Sequence, residues 1–256
     1  MKFSIVTCTW NSAATLAETI RSVLAQDFPD VEHVFVDGGS TDGTLELIAR
    51  ECPKATVHHG VSGGISRAMN AGIQAATGDV IAHLHSDDFY ADSQVLSRVA
   101  VALSDSGRMW AFGGMDTLRD GVRQVAPRRV RSFSPARYAS GGVAILHPTV
   151  FIRRQVFDVV GLFDESLRYA MDIDLWLRIG PLFAPVEVNA TLAVFRVHAG
   201  SASTANAPAA RREEWQVRRR YLARWPLATF VCAMRHHRMA ARERRLLALP
   251  RPKAKA

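Results

Sequence analysis

Two adjacent carboxylates, Asp87 and Asp88, follow an apolar run at Val80–Leu84. Side by side at the end of a strand they repel each other, and the arrangement is costly unless a cation or hydroxyl donors compensate. A divalent ion, Mg²⁺ or Mn²⁺, bridging them to a pyrophosphate would do so; the competing reading is a turn or a helix cap. Asp37 emerges from Val34-Phe35-Val36 beside Gly38-Gly39, where backbone can approach a ligand closely. Ser40, Thr41 and Asp42 fit the cap of a helix that starts near Thr44. Trp10, just after Phe3–Cys8, offers either a flat face for a nucleobase or an ordinary core tryptophan. His58-His59 and His236-His237 have no spacing that argues for a zinc site.

These residues need elements to hold them. Phe3–Cys8, Val31–Val36, Ala55–His59 and Val80–Leu84 are apolar runs bounded by Pro, Gly, Asp or Asn, which predicts strands. Between them Ala13–Ala25, Thr44–Glu51 and Ile65–Ala76 carry apolar residues at three- and four-residue spacing, which predicts helices. The alternation is that of an α/β chain with a parallel, Rossmann-like sheet, in which ligands sit outside the carboxyl ends of the strands. Thr9-Trp10-Asn11, the Asp37–Thr44 segment and His85-Ser86-Asp87-Asp88 therefore converge on one edge. Further along, the spacing predicts strands over Met109–Arg131 with a turn at Arg119-Asp120-Gly121, then a loop rich in Arg, Ser and Pro. A strand at Val143–Ile152, helices at Arg153–Val160 and Met171–Ile179, a strand at Leu192–Val197 and a linker at Ser201–Ala210 complete the expectation.

Taken in order, Val6-Thr7-Cys8-Thr9-Trp10-Asn11, Val36-Asp37-Gly38-Gly39-Ser40-Thr41-Asp42-Gly43-Thr44, Gly64–Ile73, Ala76–Ile81 and His85-Ser86-Asp87-Asp88 resemble glycosyltransferase family 2. The likeness resumes at His147-Pro148-Thr149-Val150-Phe151, Gly161–Glu165, Asp172–Arg178 and Phe195–Ser203, and spans about four fifths of the chain. The resemblance implies a GT-A fold, a mostly parallel sheet flanked by helices, and transfer of a sugar from a nucleotide donor with inversion. It places Thr9, Trp10, Asn11, Asp37, Gly39, Arg67, Asn70 and Asp87 at the nucleotide, with Asp37 reading the base, usually uracil. It places Asp87 and Asp88, with Mg²⁺ or Mn²⁺, in the metal region without saying which does what, and adds His198 as a further ligand beside its reading as an ordinary surface histidine. Asp172 matches the family's general base, the alternative being a helix N-terminal carboxylate answering the macrodipole. His147, Asp174 and Trp176 fall on the acceptor side. His85 stands where the family has Asp or Asn, and Arg67 where many members have Asp.

At 256 residues, 48% hydrophobic and 22% charged, the chain fits one α/β domain. The resemblance divides it into a catalytic domain at 1–206, with a nucleotide-binding half at 1–105 and an acceptor half at 106–206, and a basic helical tail at 207–256. Of the net charge of +8, the tail holds the basic part: 14 Lys/Arg against 3 Asp/Glu from Arg211 onward, and 18 against 21 before it. Arginines alternating with Trp215, Tyr221, Trp225 and Phe230 predict peripheral contact with an anionic membrane, the alternative being aromatics packed back on the domain. Nucleic-acid binding lacks a readout motif. No apolar run reaches the ~20 residues that span a bilayer, no secretory leader is expected, and Cys8, Cys52 and Cys232 form no framework, which together predict a cytoplasmic protein. The partners implied are a nucleotide-sugar donor and a saccharide or lipid-linked acceptor in cell-surface polysaccharide or glycolipid synthesis. A nucleotidyltransferase would need a basic Gly-rich loop where Thr9-Trp10-Asn11-Ser12 stands; a non-catalytic nucleotide-sugar binder would have no need of Asp37, Asp87, Asp88 and Asp172 together.

Overall fold

Alternation along the first strand sets the layers. In β1 (Phe3–Thr9) Phe3 and Ile5 face one side and Val6 and Cys8 the other, all buried, so helices must cover both faces. The computed structural model describes residues 1–127, 130–197, 206–223 and 225–247. β1 pairs in parallel with β2 (Val31–Asp37) and with β4 (Val80–His83), and β2 pairs in parallel with β3 (Thr56–His58). The crossovers are α1 (Leu16–Leu24), α2 (Thr44–Glu51) and α3 (Ile65–Ala75), close to the bounds their apolar spacing predicts. Leu16, Ile20, Leu47 and Ile48 cover Phe35 on one face, while Ala68, Met69 and Ile73 of α3 cover Val6, Val34 and Val36 on the other.

Beyond β4 the nine-stranded sheet becomes mixed, in the order β3-β2-β1-β4-β8-β6-β9-β5 with β7 on β6. The added strands are β5 (Phe89–Tyr90), β6 (Trp110–Arg119), β7 (Val122–Gln124), β8 (Val150–Arg153) and β9 (Val186–Val197). The expected turn at Asp120-Gly121 joins β6 to β7. β5 is not among the expected strands and β9 starts six residues before the expected Leu192, and further differences follow. A helix α4 (Val95–Ser106) buries Val95, Leu96, Val99 and Leu103 under the sheet. The Pro- and Arg-rich loop contains a short α5 (Pro135–Ala139), started by the Ser134 hydroxyl accepting from Arg137 N–H. The apolar run from Val143 extends only at Val150, because Pro148 lies in a one-turn helix at His147–Thr149. The end of the expected linker is helical: α6 (Gln155–Val160) and α7 (Met171–Ile179) are followed by α8 (Ala207–Leu222) and α9 (Pro226–Leu247).

α8 and the start of α9 join the core around α7: Val217, Leu222, Ala228 and Cys232 are buried, and Trp215, Tyr221 and Trp225 pack partly buried beside them. α3 seats closely on the sheet at Gly72, where an added Cβ would lie 2.2 Å from Val6 Cγ1. Gly72→Ala is therefore expected to destabilise the fold by about 1–3 kcal/mol. Urea unfolding that showed no loss would mean that α3 does not seat on β1 this closely.

Candidate active site

The parallel register brings Thr9 opposite Asp37, so two polar strand ends meet. The Thr9 hydroxyl donates to Asp37 Oδ1 at 2.9 Å and the Ser40 hydroxyl to the same oxygen at 2.5 Å, while Gly39 and Ser40 N–H donate to Oδ2 at 2.8 and 2.9 Å. Burial alone would push this carboxyl up, but the Ser40, Gly39 and Thr9 donors outweigh it and hold Asp37 below the usual carboxylate range. Asp37 is thus an ionised organiser of its own loop, with Gly39 supplying the left-handed turn at φ 103°. Asn11 braces the same loop: its Oδ1 accepts from Thr41 N–H at 2.9 Å and its N–H donates to Ser40 Oγ at 2.9 Å. Trp10 stands on this platform 71% exposed, which excludes the core reading.

On α3, Arg67 is exposed at the first turn beside Gly63. Asn70, expected at the nucleotide, is buried: its Oδ1 accepts from Phe163 N–H at 2.9 Å, and its Nδ2 donates to Phe163 O and Glu165 Oε1, both at 3.0 Å. Both its amide hydrogens are used in clamping α3 to the segment that leads into α7, and the Ser66 hydroxyl adds a bond to Leu167 O at 2.9 Å.

The carboxylate pair sits where β4 opens into its loop. Hydroxyls of α1 and its approach hold the loop, with Thr19 donating to Asp88 O at 2.7 Å and Ser12 Oγ meeting Ser86 Oγ at 2.8 Å. Arg196 at the end of β9 reaches the pair: its backbone N–H donates to Asp88 Oδ1 at 3.0 Å, its Nε to Asp87 O at 3.2 Å, and its guanidinium pairs with Glu18. Asp88 is fully buried, and its Oδ2 has no hydrogen-bond partner among the described residues. Burial first, and the Asp87 charge second, push its carboxyl well above the usual range. Asp87 is partly exposed. An orphaned buried carboxylate oxygen beside a second carboxylate suits a divalent cation whose other ligands come from phosphate oxygens and water. Among the described residues no three His, Cys, Asp or Glu side chains converge as a complete protein cage, and His198 lies outside the described residues.

A ring stack ties this edge to α7. His147 stacks on His85 at 4.9 Å between centroids and lies 6.0 Å from Trp176. Burial, with the neighbouring His85 and His83, drives His147 well below its ordinary range, so it is a neutral ring. Trp176, 1% exposed, also stacks on Trp110 at 6.0 Å; it is core, and only its contact with His147 relates it to the site. Asp174 likewise turns inward, pairing with Arg178 Nε at 2.9 Å and accepting from the Tyr221 hydroxyl at 2.7 Å. Asp172, one helical turn before Trp176, is partly exposed, and Ile173 N–H donates to its Oδ1 at 2.7 Å. Burial pushes its carboxyl up to about 6; Ile173 N–H and Arg218 pull the other way, and Glu214 adds to the rise. Beside Leu146, an open cavity of about 330 Å³ is lined by Gly113, Met115, Pro127, Arg131, Gly142 and other residues of the Arg119–Arg137 region and the loop after α5. Of these features, Arg196 lies inside a motif with no signal of its own, and the contributions of Arg218 and Glu214 to Asp172 have no local signal in the sequence.

A Rossmann-like sheet continued by mixed strands, with acidic and aromatic loops at one edge, is the GT-A architecture. The 1–349 fragment of TarS from S. aureus, solved with UDP-GlcNAc, matches with a TM-score of 0.70 at 21% identity over 85% of this chain and 64% of that one. A mannosyltransferase of Pyrobaculum calidifontis, solved with GDP-Man and Mn²⁺, matches with a TM-score of 0.66 at 16% identity over 98% and 76%. The chain belongs to glycosyltransferase family 2: the family described as "Glycosyl transferase family 2" matches residues 4–161. An uncharacterised glycosyltransferase of Mycobacterium tuberculosis is 31% identical over 75% of this chain and 74% of its own length. A glycosyltransferase of Mycobacterium bovis named for PGL/p-HBAD biosynthesis is 31% identical over 69% and 68%.

The geometry separates two residues that the motifs treat alike. Trp10→Ala should leave unfolding within about 0.5 kcal/mol of the parent and weaken nucleotide affinity by about 1–3 kcal/mol, the worth of a lost base stack. Asn70→Ala should do the reverse, costing about 1–3 kcal/mol of stability because Phe163 N–H loses its partner. Titration calorimetry and urea unfolding of both variants check the pair; the opposite assignment of effects would overturn it.

Proposed function

We propose that the protein moves a sugar from a nucleoside-diphosphate sugar, UDP-linked as first expectation, to a hydroxyl of a saccharide or lipid-linked acceptor, with inversion at the anomeric carbon. The observation that carries this is Asp172: a carboxylate at the head of α7, part exposed and raised to about 6, so it is ionised near neutral pH yet basic enough to accept a proton. In the step, the acceptor oxygen bonds to the anomeric carbon as the bond from that carbon to the diphosphate breaks. The hydroxyl proton passes to an Asp172 oxygen, and the nucleoside diphosphate leaves with the bonding pair. Trp10 offers the base a face, Arg67 is the exposed cation of the nucleotide side, and the cavity beside Leu146 and Arg131 suits the acceptor. Asp87 and Asp88 would hold Mg²⁺ or Mn²⁺, which supplies Lewis-acid stabilisation of the departing diphosphate. The naming of the M. bovis relative for PGL/p-HBAD biosynthesis supports a cell-surface glycolipid or polysaccharide product.

Asp172→Asn should lower turnover about 100-fold or more while donor affinity, read by calorimetry, stays as in the parent. In the parent enzyme kcat should fall about tenfold per pH unit below about 6 and level off above it, because the base must be ionised to act. An activity retained by Asp172→Asn, or a flat profile through that range, would remove Asp172 from the role. Asp87→Ala should abolish the Mn²⁺ dependence of UDP binding; unchanged metal-dependent affinity would sink the cation assignment.

The same reading places the enzyme on the inner face of the cytoplasmic membrane. Trp215, Tyr221 and Trp225 are occupied with the core, but Leu227, Phe230 and Met234 share the outward face of α9, 78%, 61% and 39% exposed, with the exposed Arg238 one turn beyond Met234. Among the described residues no helix is long and apolar enough to cross a membrane. An exposed apolar stripe on a basic helix suits an anionic headgroup layer. The full chain should sediment with phosphatidylglycerol vesicles at low salt, and Leu227→Asp with Phe230→Asp should release it; equal sedimentation of parent and double variant would refute the attachment.

A further inference from the structure

α7 presents Asp172 yet has no side-chain cap of its own, its N-cap position being Ala170. The polar groups leading into it are satisfied from α8 instead. Glu213 Oε1 accepts the N–H of Arg168 at 2.9 Å, of Tyr169 at 2.6 Å and of Ala170 at 2.8 Å, the three residues immediately before α7. A carboxylate placed there also lies at the positive end of the α7 dipole. Further along α8, the Tyr221 hydroxyl bonds to Asp174 at 2.7 Å, and Arg220 reaches Asp164 at 3.6 Å. Arg218, whose charge also acts on Asp172, pairs through Nε with Glu214 at 2.8 Å, and its Nη1 donates to the carbonyls of Tyr138 and Ala139 at the end of α5. Val217 and Leu222, buried at 0% and 1%, fix the helix that carries all of these groups.

We propose that α8 is a positioning element for catalysis, with Glu213 as the residue that sets where Asp172 stands. The inference rests on the reading of Asp172 as the proton acceptor. Glu213 touches neither donor nor acceptor; it acts through the backbone of 168–170, by fixing the approach to α7 against a helix more than forty residues away in sequence. A proton acceptor must lie within hydrogen-bond reach of the attacking hydroxyl, and a misplacement of about 1 Å costs on the order of 100-fold in rate. The segment that α8 holds is the one that sets this distance. α8 is therefore part of the catalytic unit, which runs at least to Leu222.

The test is steady-state kinetics of full-length Glu213→Ala and Glu213→Gln, with donor affinity and melting temperature measured alongside and Asp172→Asn run as reference. Glu213→Ala should lose about 10- to 100-fold in kcat with donor KM and Kd within about twofold of the parent, since the nucleotide edge lies on β1, β2 and α3. Glu213→Gln keeps an oxygen that can accept the same N–H groups and should recover most of the lost kcat. If Glu213→Ala does not fold, Glu213→Asp, which keeps the charge but withdraws the oxygen by one methylene, should show the same fall in kcat with melting held. The proposal is overturned if kcat of the Ala variant stays within about twofold of the parent, if kcat and donor affinity fall together, or if Gln behaves as Ala. An inactive Asp172→Asn beside a fully active Glu213→Ala would reject this inference alone, whereas an active Asp172→Asn would reject the reading beneath it.

Discussion

The parallel pairing of β1 with both β2 and β4 is the constraint on which the rest depends. Parallel neighbours require crossovers on the faces, which is why α1, α2 and α3 exist where they do and why β1 is buried on both sides. It also obliges the chain to leave β1, β2 and β4 at the same edge, so Trp10, the Asp37 loop and the Asp87-Asp88 loop become neighbours without being close in sequence. Arg196 closes this edge from β9, tying the second half of the sheet to the carboxylates of the first.

Three carboxylates at this site differ in their surroundings and hence in their chemistry. Asp37 receives four donors and stays ionised as a loop organiser. Asp88 lies deeper, receives one N–H on one oxygen and stands beside a like charge, so its proton affinity rises. Asp172 lies between, with burial partly answered by Ile173 N–H and Arg218. Donor count against burial decides each case, so the identical side chain is held at three different proton affinities.

The sequence made the parallel half legible because local signals there agree: apolar strands, three- and four-residue helical spacing, and Gly or Asp at the breaks. α4 carries the same spacing at Val95, Val99 and Leu103, yet it follows the polar clusters rather than separating them and escapes a reading built around chemistry. The motifs mark segments, not the hydrogen-bond partners of each side chain. Asn70 and Asp174 are engaged by partners that no local pattern shows, because those partners, Phe163, Glu165, Arg178 and Tyr221, are set by packing. The strong positive charge after Arg211 suggests a basic helical tail, with its aromatics packed on the domain as the alternative, and Val217, Arg218 and Leu222 seat its first helix in the core. Glu213 has no signal at all in its own neighbourhood, because its partners are backbone N–H groups far back in the chain.

The central claim, displacement at the anomeric carbon in one step with Asp172 taking the proton, has a stereochemical signature. With water in place of the acceptor, the sugar released from the donor should form with the anomeric configuration opposite to that of the donor. Proton NMR of the first product, recorded before mutarotation, reads it directly. Inversion, lost along with turnover in Asp172→Asn, is the result this account predicts; retention of configuration would contradict it.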